Sequence, residues 1–354
     1  MRDRKPAPAA SPGAAFPIAR GALPAFRRAL LAWYDKNRRD LPWRGTTDPY
    51  AIWLSEIMLQ QTRVAAVLDH YRVFLDRFPN VAALAAAPEN AVLAAWSGLG
   101  YYRRARMLHQ CAQEIANRHN GRFPQTAEAL RSLPGIGRYT AAAIASIAFH
   151  EPVAVVDGNV ERVLQRLADA NLTPSRVWAI AEKLLVPARA GDFNQAMMEL
   201  GATVCPPREP RCLLCPVRRW CKAQGEIQQP KIQQLRPVAR QQRKELWCLL
   251  DRRNGHVRLT RRAKSASLMP GMWELPQWPE LPHASAQEAL WRTFHHSITV
   301  TDYNVHVLRN WPGNRGEGKT PAKATTGKWI AIAKIPTLPL TGLTRKILRA
   351  DGII

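Results

Sequence analysis

Glu56 stands inside the run Trp53-Leu54-Ser55-Glu56-Ile57-Met58, among apolar neighbours rather than on a charged face. A carboxyl among apolar side chains loses solvation and keeps its proton to higher pH, which suits it to act as an acid. Asp157 closes the apolar run Val153-Ala154-Val155-Val156, just before a segment with a helical pattern. A carboxylate at a helix start caps free N–H groups and is favoured there as an anion. Alone, Glu56 reads as an exposed helix position and Asp157 as an N-cap. Together they are the pair that glycoside hydrolysis requires. One group protonates the leaving group and the other faces an oxocarbenium-like transition state.

Four of the six cysteines, Cys205, Cys212, Cys215 and Cys221, follow the pattern C-x6-C-x2-C-x5-C, while Cys111 and Cys248 stand apart. In a reducing compartment such spacing points to a metal site rather than to disulfides. The spacing alone leaves structural zinc and an iron–sulfur cluster both open, zinc being the commoner occupant of four thiolates. Arg208, Arg211, Arg218, Arg219 and Lys222 decorate this loop. A third motif is Leu133-Pro134-Gly135-Ile136-Gly137-Arg138. Gly135 and Gly137 let backbone N–H groups approach an anion at a helix start, and Arg138 adds charge, so the hairpin suits a DNA phosphate. The same letters also fit an ordinary turn between helices.

These residues need rigid elements to position them. Residues 25–222 carry apolar residues at three- and four-residue spacing and read as mostly helical. Asp48 and Pro49 mark a helix start before Tyr50–Leu59, and a helix from Thr126 breaks at Pro134–Gly137 and resumes at Arg138. Residues 223–243, rich in Gln, Lys, Arg and Pro, read as a linker. Beyond it, short β-favouring runs at 246–253, 255–262, 298–308 and 328–335, with a helical stretch at 284–293, predict a smaller α+β domain over 244–354. Residues 312–327 read as a mobile basic loop, and residues 1–24 as a disordered Pro/Ala tail.

The chain has 354 residues, which favours more than one domain. Lys and Arg number 51 against 27 Asp and Glu, a formal net charge of +24. So large an excess implies a polyanionic partner, with nucleic acid first in line. No stretch approaches the roughly 18 apolar residues of a membrane span, and the N-terminal residues lack the apolar core of a secretory signal. A cytoplasmic protein is expected.

Leu41-Pro42-Trp43-Arg44, Ser55-Glu56-Ile57-Met58-Leu59-Gln60-Gln61-Thr62, Gly98-Leu99-Gly100-Tyr101-Tyr102, the Leu133–Gly137 hairpin, Asp157-Gly158-Asn159, Phe193-Asn194-Gln195-Ala196-Met197-Met198 and the four cysteines occur in this order. In that order the chain resembles the MutY-type adenine DNA glycosylases, within the superfamily that also contains endonuclease III. The resemblance implies a two-lobed helix-hairpin-helix core that flips adenine, mispaired with 8-oxoguanine or guanine, out of double-stranded DNA and hydrolyses its N-glycosidic bond. It implies that Glu56 protonates adenine through N7, that Asp157 stabilises the sugar cation, and that Asn159 and Tyr139 support that intermediate. Trp43, Arg44 and Gln195 match positions around the extruded adenine. Gln61 and Tyr101 match residues that wedge into the base stack, and Thr62 and Leu99 lie where the family meets the opposite base. Such contacts offset an unstacking cost of about a few kcal/mol.

The resemblance also implies a [4Fe–4S] cluster on the four cysteines, and a monomer. Superfamily members that also cleave the strand carry Lys where this chain has Tyr139, so hydrolysis without strong lyase activity is expected. Leu268–Pro276 is similar to a Gly-Leu-Trp-Glu-Phe-Pro stretch in the Nudix-like half of the same enzymes. The acid-rich box that binds catalytic Mg2+ is missing from 284–294, so pyrophosphate hydrolysis is not expected. Where the family reads 8-oxoguanine through a Phe-Ser-His loop, the nearest counterpart is Ile298-Thr299-Val300, with Thr299 as the expected contact. Two other readings compete. An endonuclease III-like lyase acting on oxidised pyrimidines is opposed by Tyr139 and by the added domain. A catalytically inactive iron–sulfur DNA-binding protein is opposed by the presence of both Glu56 and Asp157.

Overall fold

The computed structural model describes residues 16–224, 242–281, 284–298, 300–311 and 327–354. Thr299, residues 1–15 of the expected tail, almost all of the expected linker and the basic stretch 312–326 lie outside the described residues. The helices are α1 (Leu23–Asn37), α2 (Pro49–Leu59), α3 (Val64–Arg77), α4 (Val81–Ala86), α5 (Glu89–Ala95), α6 (Arg103–Arg118), α7 (Ala127–Leu130), α8 (Arg138–Ala148), α9 (Gly158–Ala168), α10 (Pro174–Leu184), α11 (Ala190–Thr203) and α12 (Gly342–Ala350). The strands are β1 (Gln242–Leu250), β2 (Arg252–Arg253), β3 (His256–Arg261), β4 (Trp273–Glu274), β5 (Gln277–Trp278), β6 (Leu290–Ile298), β7 (Thr301–Arg309) and β8 (Lys328–Ala331). A mostly helical chain ending in a smaller α+β part agrees with the sequence reading. Among the described residues no helix is long and apolar enough to cross a membrane.

The chain divides into two compact units. The first takes the described parts of 1–71, 80–82 and 110–234, and the second takes those of 72–79, 83–109 and 235–354. In the first unit α2 starts where Asp48 and Pro49 place it, the Asp48 carboxylate accepting from the N–H groups of Tyr50 and Ala51. Every residue from Tyr50 to Met58 is buried, as expected of a helix that is apolar all round. Thr126 caps α7, the chain turns with Gly135 at φ +76°, and α8 begins behind Gly137 with no side-chain cap on its first N–H groups. Helices α1, α9, α10 and α11 close a core around Phe26, Leu30, Tyr34, Leu164, Ile180, Leu184, Phe193 and Leu200. The expected tail ends earlier than composition predicts: Ile18, at 2% exposure, is a member of this core. A single large apolar side chain with a cavity to fill outweighs the disorder-promoting Pro and Ala around it.

In the second unit one sheet has the order β5-β1-β7-β6, with β1 and β7 parallel and both outer pairs antiparallel. The other has the order β2-β3-β4, with β8 also on β3. Cys248, Leu250, Val257, Leu259, Val305 and Val307 bury the sheet faces against Leu343, Ile347 and Leu348 of α12. The helix expected over 284–293 is a 3-10 turn, Ala284–Ala289, followed directly by β6. Trp291, Thr293 and Phe294 favour a pleated strand, and the ladder to β7 supplies the hydrogen bonds that a one-turn helix lacks.

Candidate active site

Glu56 projects from the buried helix α2 and is itself 7% exposed. The Tyr139 hydroxyl, on the first turn of α8, donates a hydrogen bond to Glu56 Oε2 and lies 3.6 Å from Met198 Sδ. Burial pushes the Glu56 carboxyl up; the Tyr139 hydrogen bond and the Arg44 charge oppose this, and the Asp157 charge adds to it. Burial, then the charges of Glu56 and Asp157, hold the Tyr139 phenol well above its ordinary value, so it is a neutral donor. The arrangement pairs a carboxyl whose burial favours its protonated form with the carboxylate of Asp157.

Asp157 is indeed an N-cap. Its Oδ1 accepts from the Val160 N–H at 2.7 Å, and its Oδ2 accepts from Asn159 Nδ2 at 2.8 Å. Asn194 fixes the segment before it, donating to Ser146 Oγ and the Val153 carbonyl and accepting from the Val155 N–H. Arg162 holds Asn159 from behind, donating from Nη2 to Asn159 Oδ1 and to the Gly201 carbonyl, both at 2.7 Å. A Cβ at Gly201 would lie 2.6 Å from Asn159 Cβ, so this contact admits only glycine.

Arg44 and Gln195 also meet, with Arg44 Nη1 donating to Gln195 Oε1 at 2.7 Å and to the Tyr34 hydroxyl at 3.2 Å. Arg44 Nη2 donates to Glu199 Oε2 at 2.7 Å, while Arg44 Nε is buried with no hydrogen-bond partner. Trp43 is buried edge-on to Tyr71, with ring centroids 5.2 Å apart. Gln61 is exposed in the turn after α2 at φ +58°, and Thr62 donates to the Gln60 carbonyl. Leu99 and Tyr101 belong to the second unit, the one buried at 5% and the other 56% exposed at φ +46°. Arg138 stacks on Trp178, 3.7 Å from the ring centroid, and pairs with Glu182 at 3.2 Å across the exposed flank of α10.

Sequence reasoning did not pick out Arg39, Arg162, Arg166, Asn194 or Glu199. A signal was present for Glu199, which lies one helical turn after Gln195 on helix α11.

Cys205, Cys212, Cys215 and Cys221 line one cavity with Arg166, Val204, Pro210, Arg218 and Gln224. Among the described residues no three His, Cys, Asp or Glu side chains form a ready-made metal site. Burial pushes the Cys215 and Cys221 thiols up to about 11. Arg166 donates to Cys205 Sγ at 3.0 Å and to the carbonyls of Cys205, Pro206 and Pro207. Four thiols around one cavity, with a guanidinium on one of them, are a donor set that fits an iron–sulfur cluster.

A profile described as "HhH-GPD superfamily base excision DNA repair protein" matches residues 54–187. The chain is 47% identical over 223 residues to the adenine DNA glycosylase of Homo sapiens, covering 59% of this chain and 41% of the human protein. It is 49% identical over 200 residues to that of Mycobacterium tuberculosis, covering 54% of this chain and 65% of the relative. It thus spans less than two thirds of either relative. Among solved structures it is similar to a thermostable thymine-DNA glycosylase, with a TM-score of 0.54 and 31% identity over 57% of this chain and 96% of the other.

Proposed function

Because the chain belongs to the HhH-GPD superfamily of base-excision DNA repair proteins, we propose that it is an adenine DNA glycosylase acting on double-stranded DNA. Its substrate is adenine opposite 8-oxoguanine or guanine, and the bond it hydrolyses is the N-glycosidic bond. The observation that carries this reading is the buried Glu56 carboxyl, bonded to a neutral Tyr139 and acted on by the charge of Asp157. The likeness to adenine glycosylases at 47% and 49% identity supports adenine over the thymine of the 31% identical relative.

In this reading Glu56 gives its proton to N7 of the extruded adenine, which makes the base a neutral leaving group. Asp157, oriented by Val160 N–H and Asn159, faces the sugar as positive charge develops on it. Tyr139 offers no amine to form a Schiff base, so the product is an abasic site in an intact strand. Trp43, Arg44 and Gln195 surround the base. Gly135, Gly137 and Arg138 meet the DNA backbone, while Gln61, Thr62, Leu99 and Tyr101 serve the wedge and the opposite base. Residues 244–354, Nudix-like in this reading, read that opposite base, with Thr299 as the contact.

Cys205, Cys212, Cys215 and Cys221 would hold a [4Fe–4S] cluster. When bound, it orders a loop rich in arginine rather than supplying redox chemistry to base excision. The protein acts as a cytoplasmic monomer.

The test is a duplex with one A·8-oxoguanine pair, resolved on a denaturing gel with and without hot alkali. Cleavage that appears only after alkali is the expected result. Cleavage without alkali would favour a lyase, and no cleavage under either condition would refute adenine excision.

A further inference from the structure

Glu199 has no role in the chemistry above, yet it is one of the most completely buried charged side chains in the first unit, with 0% exposure. Both carboxylate oxygens are engaged by arginines that come from a stretch of chain some 160 residues away. Arg39 Nε donates to Oε1 at 2.5 Å, Arg39 Nη2 donates to Oε2 at 2.9 Å, and Arg44 Nη2 donates to Oε2 at 2.7 Å. Burial pushes the Glu199 carboxyl up, but the Arg39 hydrogen bonds and the charges of both arginines more than reverse this, so it is an anion.

One carboxylate therefore neutralises one of two guanidinium charges. Arg44 has only donors, so the Gln195 atom facing it must be the amide oxygen. Gln195 is thereby left to offer its Nε2 donors, and Arg44 its open Nε, to whatever base enters. Both suit a base edge rich in ring-nitrogen acceptors.

The charge of Arg44 also reaches Glu56, which is faced by Tyr139 from α8, by Asp157 from the start of α9 and by Arg44 from the segment before α2. We propose that Glu199 is a positioning residue that clamps Arg39 and Arg44, turns the Gln195 amide donors toward the base, and sets how much of Arg44's positive charge Glu56 feels. The part concerning the base rests on the adenine-glycosylase reading; the clamp and its field on Glu56 do not.

The test titrates Glu56 in the free full-length protein, by carbon-13 difference spectra of labelled glutamate carboxyls against a Glu56→Gln reference. Glu199→Gln keeps the shape and removes the negative charge. Arg44 then acts on Glu56 uncompensated, and the Glu56 midpoint should fall. Arg39→Gln removes a positive charge and leaves Glu199 in excess, so the midpoint should rise. Shifts of about half a pH unit or more are expected, the size that a unit charge within about 20 Å produces at an effective dielectric of about 20.

A side chain that merely filled space would not move the two variants in opposite directions. Stationary midpoints, or shifts of the same sign, would overturn the proposal. Should Glu199→Gln fail to fold, the rise in Arg39→Gln alone decides it, because Arg39 is 39% exposed and its removal opens no core cavity. Excision of adenine by the parent protein is scored separately, so failure of the functional reading and failure of the clamp give different results.

Discussion

The Tyr139 hydroxyl donates its hydrogen bond to the Glu56 carboxylate oxygen across 83 residues of sequence, joining the first turn of the helix after the hairpin to the middle of a buried helix. A neutral phenol at this point stabilises the Glu56 anion against the burial that disfavours it. Tyr139→Phe keeps the ring and deletes the donor, so Glu56 should hold its proton to higher pH. If Glu56 is the acid, the alkaline limb of the single-turnover excision profile moves to higher pH. A limb that moved to lower pH would contradict the direction of the Tyr139 effect.

Glu56→Gln should abolish excision while leaving duplex affinity nearly intact, because it deletes the proton and keeps the shape. A residual rate within about tenfold of the parent, equivalent to about 1.4 kcal/mol, would remove Glu56 from the role of acid. The same substitution has a second, independent readout. The folded carboxyl is raised above the roughly 4.3 of an unfolded chain, so between those two values the native state holds a proton that the unfolded state has released. Parent stability therefore falls as pH rises through that window. Glu56→Gln should melt higher than the parent at neutral pH, and the difference should shrink as pH falls toward the unfolded carboxylate range. A constant difference across pH would mean that Glu56 is not the titrating group.

Anaerobically purified protein should be brown, with about four iron and four sulfide per chain. Arg166→Lys keeps a charge near Cys205 but cannot span the three carbonyls and one sulfur that the guanidinium holds. Iron retention during dialysis against a chelator should be several-fold poorer in this variant, followed by absorbance near the thiolate-to-iron bands. Stoichiometric zinc without iron would exclude the cluster.

The elements that hold Glu56 and Asp157 were legible because their signals are local. Asp48 and Pro49 start α2, Thr126 starts α7, and Asp157 caps α9 with residues no more than three positions away. The role of Glu199 was not legible because its meaning lies in Arg39 and Arg44, 160 and 155 residues distant, and a Glu on a helix that also carries Asp192 and Asn194 fits a solvent-facing edge equally well. The 3-10 turn at Ala284–Ala289 and the short α12 escaped for the opposite reason. A few residues carry too little periodicity to outweigh the pairing of β6 with β7 or the packing of Leu343 and Ile347 on the sheet. Nor does composition reveal that residues 83–109 join the C-terminal chain in one unit, since the hydrogen bonds responsible cross 238 and 243 residues.

Those hydrogen bonds carry the last expectation. Ser97 Oγ and the Tyr102 hydroxyl both donate to the Leu340 carbonyl, at 2.9 and 3.0 Å, from residues only 1% and 5% exposed. Arg345 Nε donates in turn to Ser97 Oγ at 3.0 Å, and Arg106 Nη2 donates to the Pro270 carbonyl at 2.6 Å. A chain ending at Gln242 keeps Glu56, Asp157, Cys205, Cys212, Cys215 and Cys221 but removes the Leu340 carbonyl from Ser97 and Tyr102, which still bond to each other. The fragment loses the hydrogen bonds that tie residues 83–109 to the C-terminal chain, so residues 83–109 should become the weakest part of the fragment and the first cut by a protease. The cost of a substitution should also change with context. In the full chain Ser97→Ala and Tyr102→Phe each remove a satisfied hydrogen bond and should cost about 1 kcal/mol in urea unfolding. In the fragment, which lacks Leu340, they should cost less. Equal costs in both contexts would mean that the Leu340 carbonyl does not hold these helices.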